Sequence, residues 1–272
     1  MKNIYVRTIS GIVFLAIMLT GMLLDDILYV MLMSFIVIVM TDEYLKISIK
    51  RQTPWKRVLA DLISVAFVSI SAAICHSGSH HELMLVPIVL LSIFPVSQLY
   101  AKEGYEDLPH YIYGIIYTSL PFALLNLVAF QNGVYTSALI VSMFAILWGS
   151  DVGAYVFGVA FGRFIDKKLF PSISPKKTWI GFVGGLITAM LIGFILQSTG
   201  YLQLDIAHAV ILGLIINIFG VLGDLVESQL KRNFGIKDSG SIMPGHGGLL
   251  DRFDGALISF PIAVIYLLIF VL

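Results

Sequence analysis

Long apolar blocks broken by short charged segments constrain this chain more than any other feature. A block of about 20 apolar residues matches the roughly 30 Å hydrocarbon core of a bilayer, and little else buries so many of them in one chain. Such blocks occupy 9–24, 27–41, 58–75, 83–100, 111–130, 137–160, 179–197, 207–223 and 255–272. With 58% hydrophobic and 12% charged residues, the composition excludes an ordinary soluble domain. The fold expected is an all-α polytopic integral membrane protein of about nine transmembrane helices.

The cations set the expected orientation, because Lys and Arg near span ends are retained on the cytoplasmic side. With the N-terminus inside, all 17 Lys and Arg fall on cytoplasmic segments. These segments carry Lys2 and Arg7; Lys46, Lys50, Arg51, Lys56 and Arg57; Lys102; Arg163, Lys167, Lys168, Lys176 and Lys177; and Lys231, Arg232, Lys237 and Arg252. The opposite loops, at 25–26, 76–82, 131–136 and 198–206, carry none. The N-terminus is therefore expected inside and the C-terminus outside. An uncleaved first helix is expected, since no small-residue cleavage site follows the first apolar run. The basic segment 42–57 is expected to lie along the cytoplasmic interface. The chain then divides into N-terminal helices over 1–135 and a catalytic region over 136–272, with cytoplasmic loops at 163–178 and 224–254. One cysteine, Cys75, excludes an internal disulfide. A formal net charge of zero gives no reason to expect nucleic acid.

Three segments on the cytoplasmic side carry polar residues in patterns that suggest chemistry. In WGSDVGAY, Asp151 lies inside a span, where a lone carboxylate is costly and must meet protein, water or a cation. The glycine pairs Gly149/Gly153 and Gly158/Gly162 allow close helix packing. In SPKKTW, Ser174, Lys176 and Lys177 follow Pro171 and Pro175, and a helix start there would add free N–H groups to the lysine charge. The third segment holds nine charged residues between 224 and 254. Asn217, Asp224, Ser228 and Lys231 share one face of a helix, and Asp251 and Asp254 open the next one. Carboxylates converging in this way are relieved by a hard cation such as Mg²⁺, which also takes phosphate oxygens. The PGHGG turn at 244–248 offers backbone N–H groups, and Lys231, Arg232, Lys237 and Arg252 supply positive charge. Together these residues suggest a site for a metal-bound phosphate ester.

In its second half the chain resembles the phosphatidate cytidylyltransferases, or CDP-diacylglycerol synthases. The resemblance rests on Ser228, Leu230-Lys231-Arg232, Lys237-Asp238, Gly240, Pro244, His246-Gly247-Gly248, Asp251-Arg252 and Asp254 at the family's spacing, and on WGSDVGAY and SPKKTW upstream. It covers 148–255 well and the first half only in hydropathy. Met243 and Ile180 depart from it, standing where the family usually has Leu, Ile or Phe and a polar Glu or Gln.

The resemblance implies transfer of CMP from CTP to phosphatidate, giving CDP-diacylglycerol and pyrophosphate, with Mg²⁺ required and a second cation compatible with the charge. It implies Asp224, Asp251, Lys231 and Arg252 as catalytic residues, and Asp224, Asp251, Asp254 and Ser228 as metal ligands. Ser174, Lys176, Lys177, Ser228, Arg232, Lys237, His246, Gly247, Gly248 and Asp151 are implied on the substrates. The site would face the cytoplasm from the inner membrane, and the glycine-rich helices are compatible with a homodimer. Two other readings fit parts of the pattern. A CTP-dependent polyprenol kinase would release CDP, and an ion-coupled transporter would use Asp151 and Asp224 as a cation path.

Overall fold

A computed structural model describes residues 2–49, 53–99, 105–162 and 167–272, with side chains from residue 5. Lys50, Arg51, Lys102 and Arg163 lie outside the described residues, as does the middle of the 42–57 segment. Among the described residues nine helices are long and apolar enough to cross a membrane. The protein is an all-α, multi-pass membrane protein whose only sheets are two short hairpins among those residues.

Two compact units divide the chain: Met1–Thr136 with Asp238–Arg252, and Ser137–Lys237 with Phe253–Leu272. In the first, α1 (Lys2–Leu23), α2 (Asp26–Ser48) and α3 (Pro54–Ser77) are followed by a broken crossing over His81–Gln98. That crossing is a 3-10 turn and two short helices, α4 (Leu85–Leu90) and α5 (Ile93–Gln98), rather than the single helix expected at 83–100. Pro95 explains the break, because its ring removes an N–H and crowds the carbonyl at Leu91, where the helix stops. Next come α6 (Leu108–Ala129) and a hairpin of β1 (Phe130–Gln131) and β2 (Val134–Tyr135). Asn132 and Gly133 make its two-residue turn at φ 52° and 77°, as a right-handed hairpin twist requires.

Buried hydroxyls and amides join α2, α3 and α6. Thr41 Oγ1 donates to Ser64 Oγ at 3.0 Å and lies 2.7 Å from Thr118 Oγ1, while Asn126 Nδ2 donates to the Val68 carbonyl at 2.9 Å. In lipid, where apolar burial between helices contributes little, such bonds and close packing hold helices together.

The second unit contains α7 (Ala138–Phe161), a hairpin of β3 (Lys168–Phe170) and β4 (Ser174–Thr178), α8 (Trp179–Ser198), α9 (Ile206–Asn233) and most of α10 (Leu250–Phe270). Its helices meet through small residues. Gly153 packs against Thr188, Gly184 against Phe157, Gly193 against the Ala209 carbonyl and Gly213 against the Ala189 carbonyl, each leaving no room for a Cβ. Phe144 is fully buried and meets Phe253 and Phe260 edge-on, with centroids 5.9 and 4.7 Å apart.

Two local expectations change. Lys176 and Lys177 lie in β4 and not at a helix start; α8 begins after them at Trp179, where Thr178 Oγ1 accepts the Gly181 N–H at 3.1 Å. Pro175, which biases Ser174 to extended backbone, and Thr178, extended as the cap of α8, flank the lysines and favour this strand. In addition, α2 continues to Ser48, so Glu43, Tyr44 and Leu45 are buried within the unit instead of lying along an interface.

Candidate functional site

Some of the polar residues singled out in the sequence gather in one cluster in each unit. In the second unit the cluster depends on Gly223. A Cβ there would collide with the Asp254 carbonyl and the Gly255 Cα, so only glycine lets α9 touch α10 at this level. That close approach sets Asp224, the next residue, beside Asp254. Asp254 interacts electrostatically with Asp224, with Asp151 of α7 and with Lys177 of β4. Lys177 Nζ stands 2.6 Å from Asp224 Oδ2 and donates to the Val221 carbonyl at 3.4 Å. Ser228, one turn along α9, donates its hydroxyl to Asp224 Oδ1 at 3.1 Å. The hairpin thus brings Lys177 to Asp224 across 47 residues of sequence, whereas its neighbour Lys176 is exposed.

Three carboxylates around one ammonium leave negative charge in excess, at a place where helix packing prevents them from separating. Among the described residues no three His, Cys, Asp or Glu converge at metal-ligand spacing. Mg²⁺ needs no such cage, since it is commonly held by one or two carboxylates together with water and substrate phosphate. The donor set of Asp224, Asp254 and the Ser228 hydroxyl, all hard oxygens on rigid helices, fits that pattern.

Elsewhere in this unit Lys231 pairs with the fully buried Glu227 at 2.5 Å, one turn away on α9. Arg232 donates to the Ile236 carbonyl at 3.0 Å, and Lys237 is exposed. Ser174 opens β4, three residues before Lys177.

The cluster in the first unit is the 238–252 segment, and it is anchored by a residue that sequence reasoning missed. Glu43 of α2 is buried, and its Oε2 accepts the Leu250 N–H at 2.8 Å and the Ser239 hydroxyl at 3.3 Å. A carboxylate on the first N–H of α10 acts as a cap supplied by another helix, where the helix dipole favours negative charge. Asp251 braces the same loop from the other side: its Oδ2 accepts the Ser239 and Gly248 N–H groups at 2.9 and 2.8 Å.

The PGHGG turn is closed by Met243 N–H donating to the Gly247 carbonyl at 3.0 Å and His246 N–H donating to the Met243 carbonyl at 2.9 Å. Gly245 and Gly247 take φ of 79° and 91°. The N–H groups of His246 and Gly248 are therefore engaged inside the loop, which limits the open cradle expected from the glycines. His246 Nδ1 lies 2.9 Å from Ser10 Oγ, and Arg252 donates to the His246 carbonyl at 3.0 Å. Partial burial, then the charges of Arg252 and Arg7, hold the imidazole below its ordinary pKa.

A family model described as the cytidylyltransferase family matches residues 5–270, nearly the whole chain. The chain belongs to the cytidylyltransferase family. Among its relatives, proteins named phosphatidate cytidylyltransferase from Staphylococcus saprophyticus and Staphylococcus aureus strain COL are 31% and 30% identical. Each alignment covers 97% of this chain and 98% of the relative. One of the same name from Bacillus subtilis is 44% identical over 125 residues, 46% of this chain and 45% of the relative. The protein is thus an enzyme, a nucleotidyltransferase, and family membership decides against the transporter reading of Asp151 and Asp224.

Proposed function

We propose that this protein transfers CMP from CTP to phosphatidate, giving CDP-diacylglycerol and pyrophosphate, on the cytoplasmic face of the inner membrane. The observation that carries this reading is the cluster of Asp224, Asp254 and Asp151, on packed helices, with Lys177 of β4, in a chain that matches the cytidylyltransferase family over residues 5–270.

In the reaction a phosphate oxygen of the lipid forms a bond to the α-phosphorus of CTP, and the bond from that phosphorus to the bridging oxygen breaks. The electron pair leaves with pyrophosphate. A phosphate monoester, with a second pKa near 6, is already largely a dianion at neutral pH. The attacking group therefore needs no strong base, and positioning and charge neutralisation supply the catalysis. Mg²⁺ bound at Asp224 and Asp254, with Ser228 beside them, would neutralise charge on the nucleotide phosphates. Lys177 is a positioning cation in this reading. It fixes the Asp224 carboxylate and adds a point charge that a phosphate can share. His246, whose N–H and carbonyl are both tied into the loop, has a shaping role in this reading, since the attacking phosphate needs no base.

The test is product analysis with purified protein in detergent, labelled CTP, phosphatidate and Mg²⁺. Lipid-linked CMP and pyrophosphate are expected, with turnover lost on chelation. Release of CDP would indicate a lipid kinase instead, and turnover undiminished by chelator would remove the metal.

Sidedness has its own test. Single cysteines at Ser172 and Ser241, both exposed, in a Cys75→Ala background are expected to react with an impermeant reagent only from the cytoplasmic side, and one at Gln203 only from outside. Labelling of position 241 from outside intact cells would reverse the orientation and move the proposed chemistry to the other face.

A further inference from the structure

In the first unit an apolar groove of about 490 Å³ runs between α1, α2 and the 242–249 loop. Small-ligand sites commonly measure roughly 300–1,000 Å³, so this groove has room for a ligand. Its floor is buried (Met18, Ile36, Met243 and Leu249), whereas the walls are large side chains left exposed, among them Ile9, Val13 and Phe35. Along α1 the lining runs from Val6 to Met18. At the helical rise that is about 18 Å, close to one leaflet of a hydrocarbon core roughly 30 Å thick.

The two ends of the groove differ. At the Val6 end, Gly245 packs on the Arg7 side chain, Ser10 lies against His246, and Arg252 donates to the His246 carbonyl. Both guanidinium groups are close enough to act on the His246 ring, and both side chains are exposed. Toward Met18 the lining carries no charge at all. A slot one leaflet long, apolar along its length and dicationic at its mouth, complements one lipid class: an anionic phosphate headgroup joined to an acyl chain.

We infer that the groove of α1, α2 and the 242–249 loop seats one acyl chain of the phosphatidate substrate, with Arg7 and Arg252 receiving its phosphate. This rests on the reaction proposed above and gives Arg7, otherwise read only as an orientation signal, a role on the substrate. Arg252 suits a monoester phosphate because its planar fork can donate two parallel hydrogen bonds, and Arg7 adds a second such fork.

Two measurements test it. The first compares phosphatidates with long and with very short acyl chains, presented in detergent to the wild type and to Val13→Trp, which fills the groove. The variant is expected to lose about tenfold or more in kcat/KM for the long-chain lipid. It should keep its rate with the short-chain lipid and its KM for CTP. Equal losses with both lipids, or none with either, would overturn the groove as the chain's seat. The second measurement needs no variant. Phosphatidate and phosphatidylcholine carrying the same photoreactive acyl chain are crosslinked to wild-type protein, and the labelled peptides are mapped. Labelling of α1 and α2 by phosphatidate in clear preference to phosphatidylcholine is expected. Equal labelling by both would make the groove a contact for bulk lipid, and labelling elsewhere would place the chain elsewhere. A wild type that turns over no phosphatidate at all would instead sink the proposed reaction, so the two failures are told apart.

Discussion

Asp224→Asn is expected to slow CMP transfer at least about a hundredfold, which corresponds to roughly 2.7 kcal/mol of lost transition-state stabilisation. The substitution is nearly isosteric. The amide oxygen can still accept the Ser228 hydroxyl that now donates at 3.1 Å, but the charge facing Lys177 at 2.6 Å is gone. Stability should change little. Asp224 is 39% exposed, and an ion pair in contact with solvent contributes about 0–1 kcal/mol. Removing one negative charge beside Asp254 and Asp151 also relieves repulsion. The expected signature is therefore a lost rate with an unchanged melting temperature in detergent.

Asp254→Asn should behave in the same way. Lys177→Ala should cost rate, and Lys177→Arg should be tolerated better, whereas Lys176→Ala, at an exposed position, should matter less. Near-normal turnover in both Asn variants would show that these carboxylates neither hold a metal nor face the substrate. A rate loss matched by a fall in melting temperature would reduce them to structural ion pairs.

Some of this was legible in the sequence because it depends on local pattern. The spans follow from runs of apolar residues. Asp224 and Ser228, four apart on a charged helix end, announce their own hydrogen bond. Gly223 could have been noticed as the small residue that precedes the key carboxylate, but its partner on α10 is a tertiary contact with no sequence spacing to betray it. The Lys177–Asp224 pair depends on a hairpin turning back on itself after Phe170, and neither strand is long enough to show a period. Asp251 was legible as a carboxylate near a helix start. Its use as a brace for the Ser239 and Gly248 N–H groups was not, because that depends on the path of the preceding loop.

Glu43 was concealed by hydropathy itself. The run Thr41-Asp42-Glu43 reads as the polar end of a span, yet the helix continues through it to Ser48 and turns the glutamate inward. Asp42 meanwhile pairs with Lys46 and Arg57. A carboxylate on the inward face, one residue from a paired one, can be told from a surface charge only when its acceptor role is known, and its partners lie about 200 residues away in sequence.

Glu43→Ala is accordingly expected to be the most disruptive single change in the first unit. It deletes the acceptor of the Leu250 N–H and of the Ser239 hydroxyl at a buried position, and an unsatisfied buried donor costs about 1–3 kcal/mol. The hydroxyl can rotate to another acceptor, but the backbone N–H cannot. The vacated volume cannot readily close either, because Gly240 and Gly248 pack directly on the Glu43 side chain. The start of α10 would then lose its cap, and with it the position of Asp251, His246 and Arg252. Glu43→Gln keeps an acceptor oxygen of nearly the same shape and should retain most of the stability. Melting temperature in detergent and the rate of CMP transfer should therefore fall together for alanine and only modestly for glutamine. If the alanine variant melts and turns over like wild type, the loop is held by Asp251 alone and Glu43 is a buried spectator. If glutamine fails as badly as alanine, the negative charge at the head of α10 matters more than the hydrogen bonds, and the dipole becomes the larger part of the anchor.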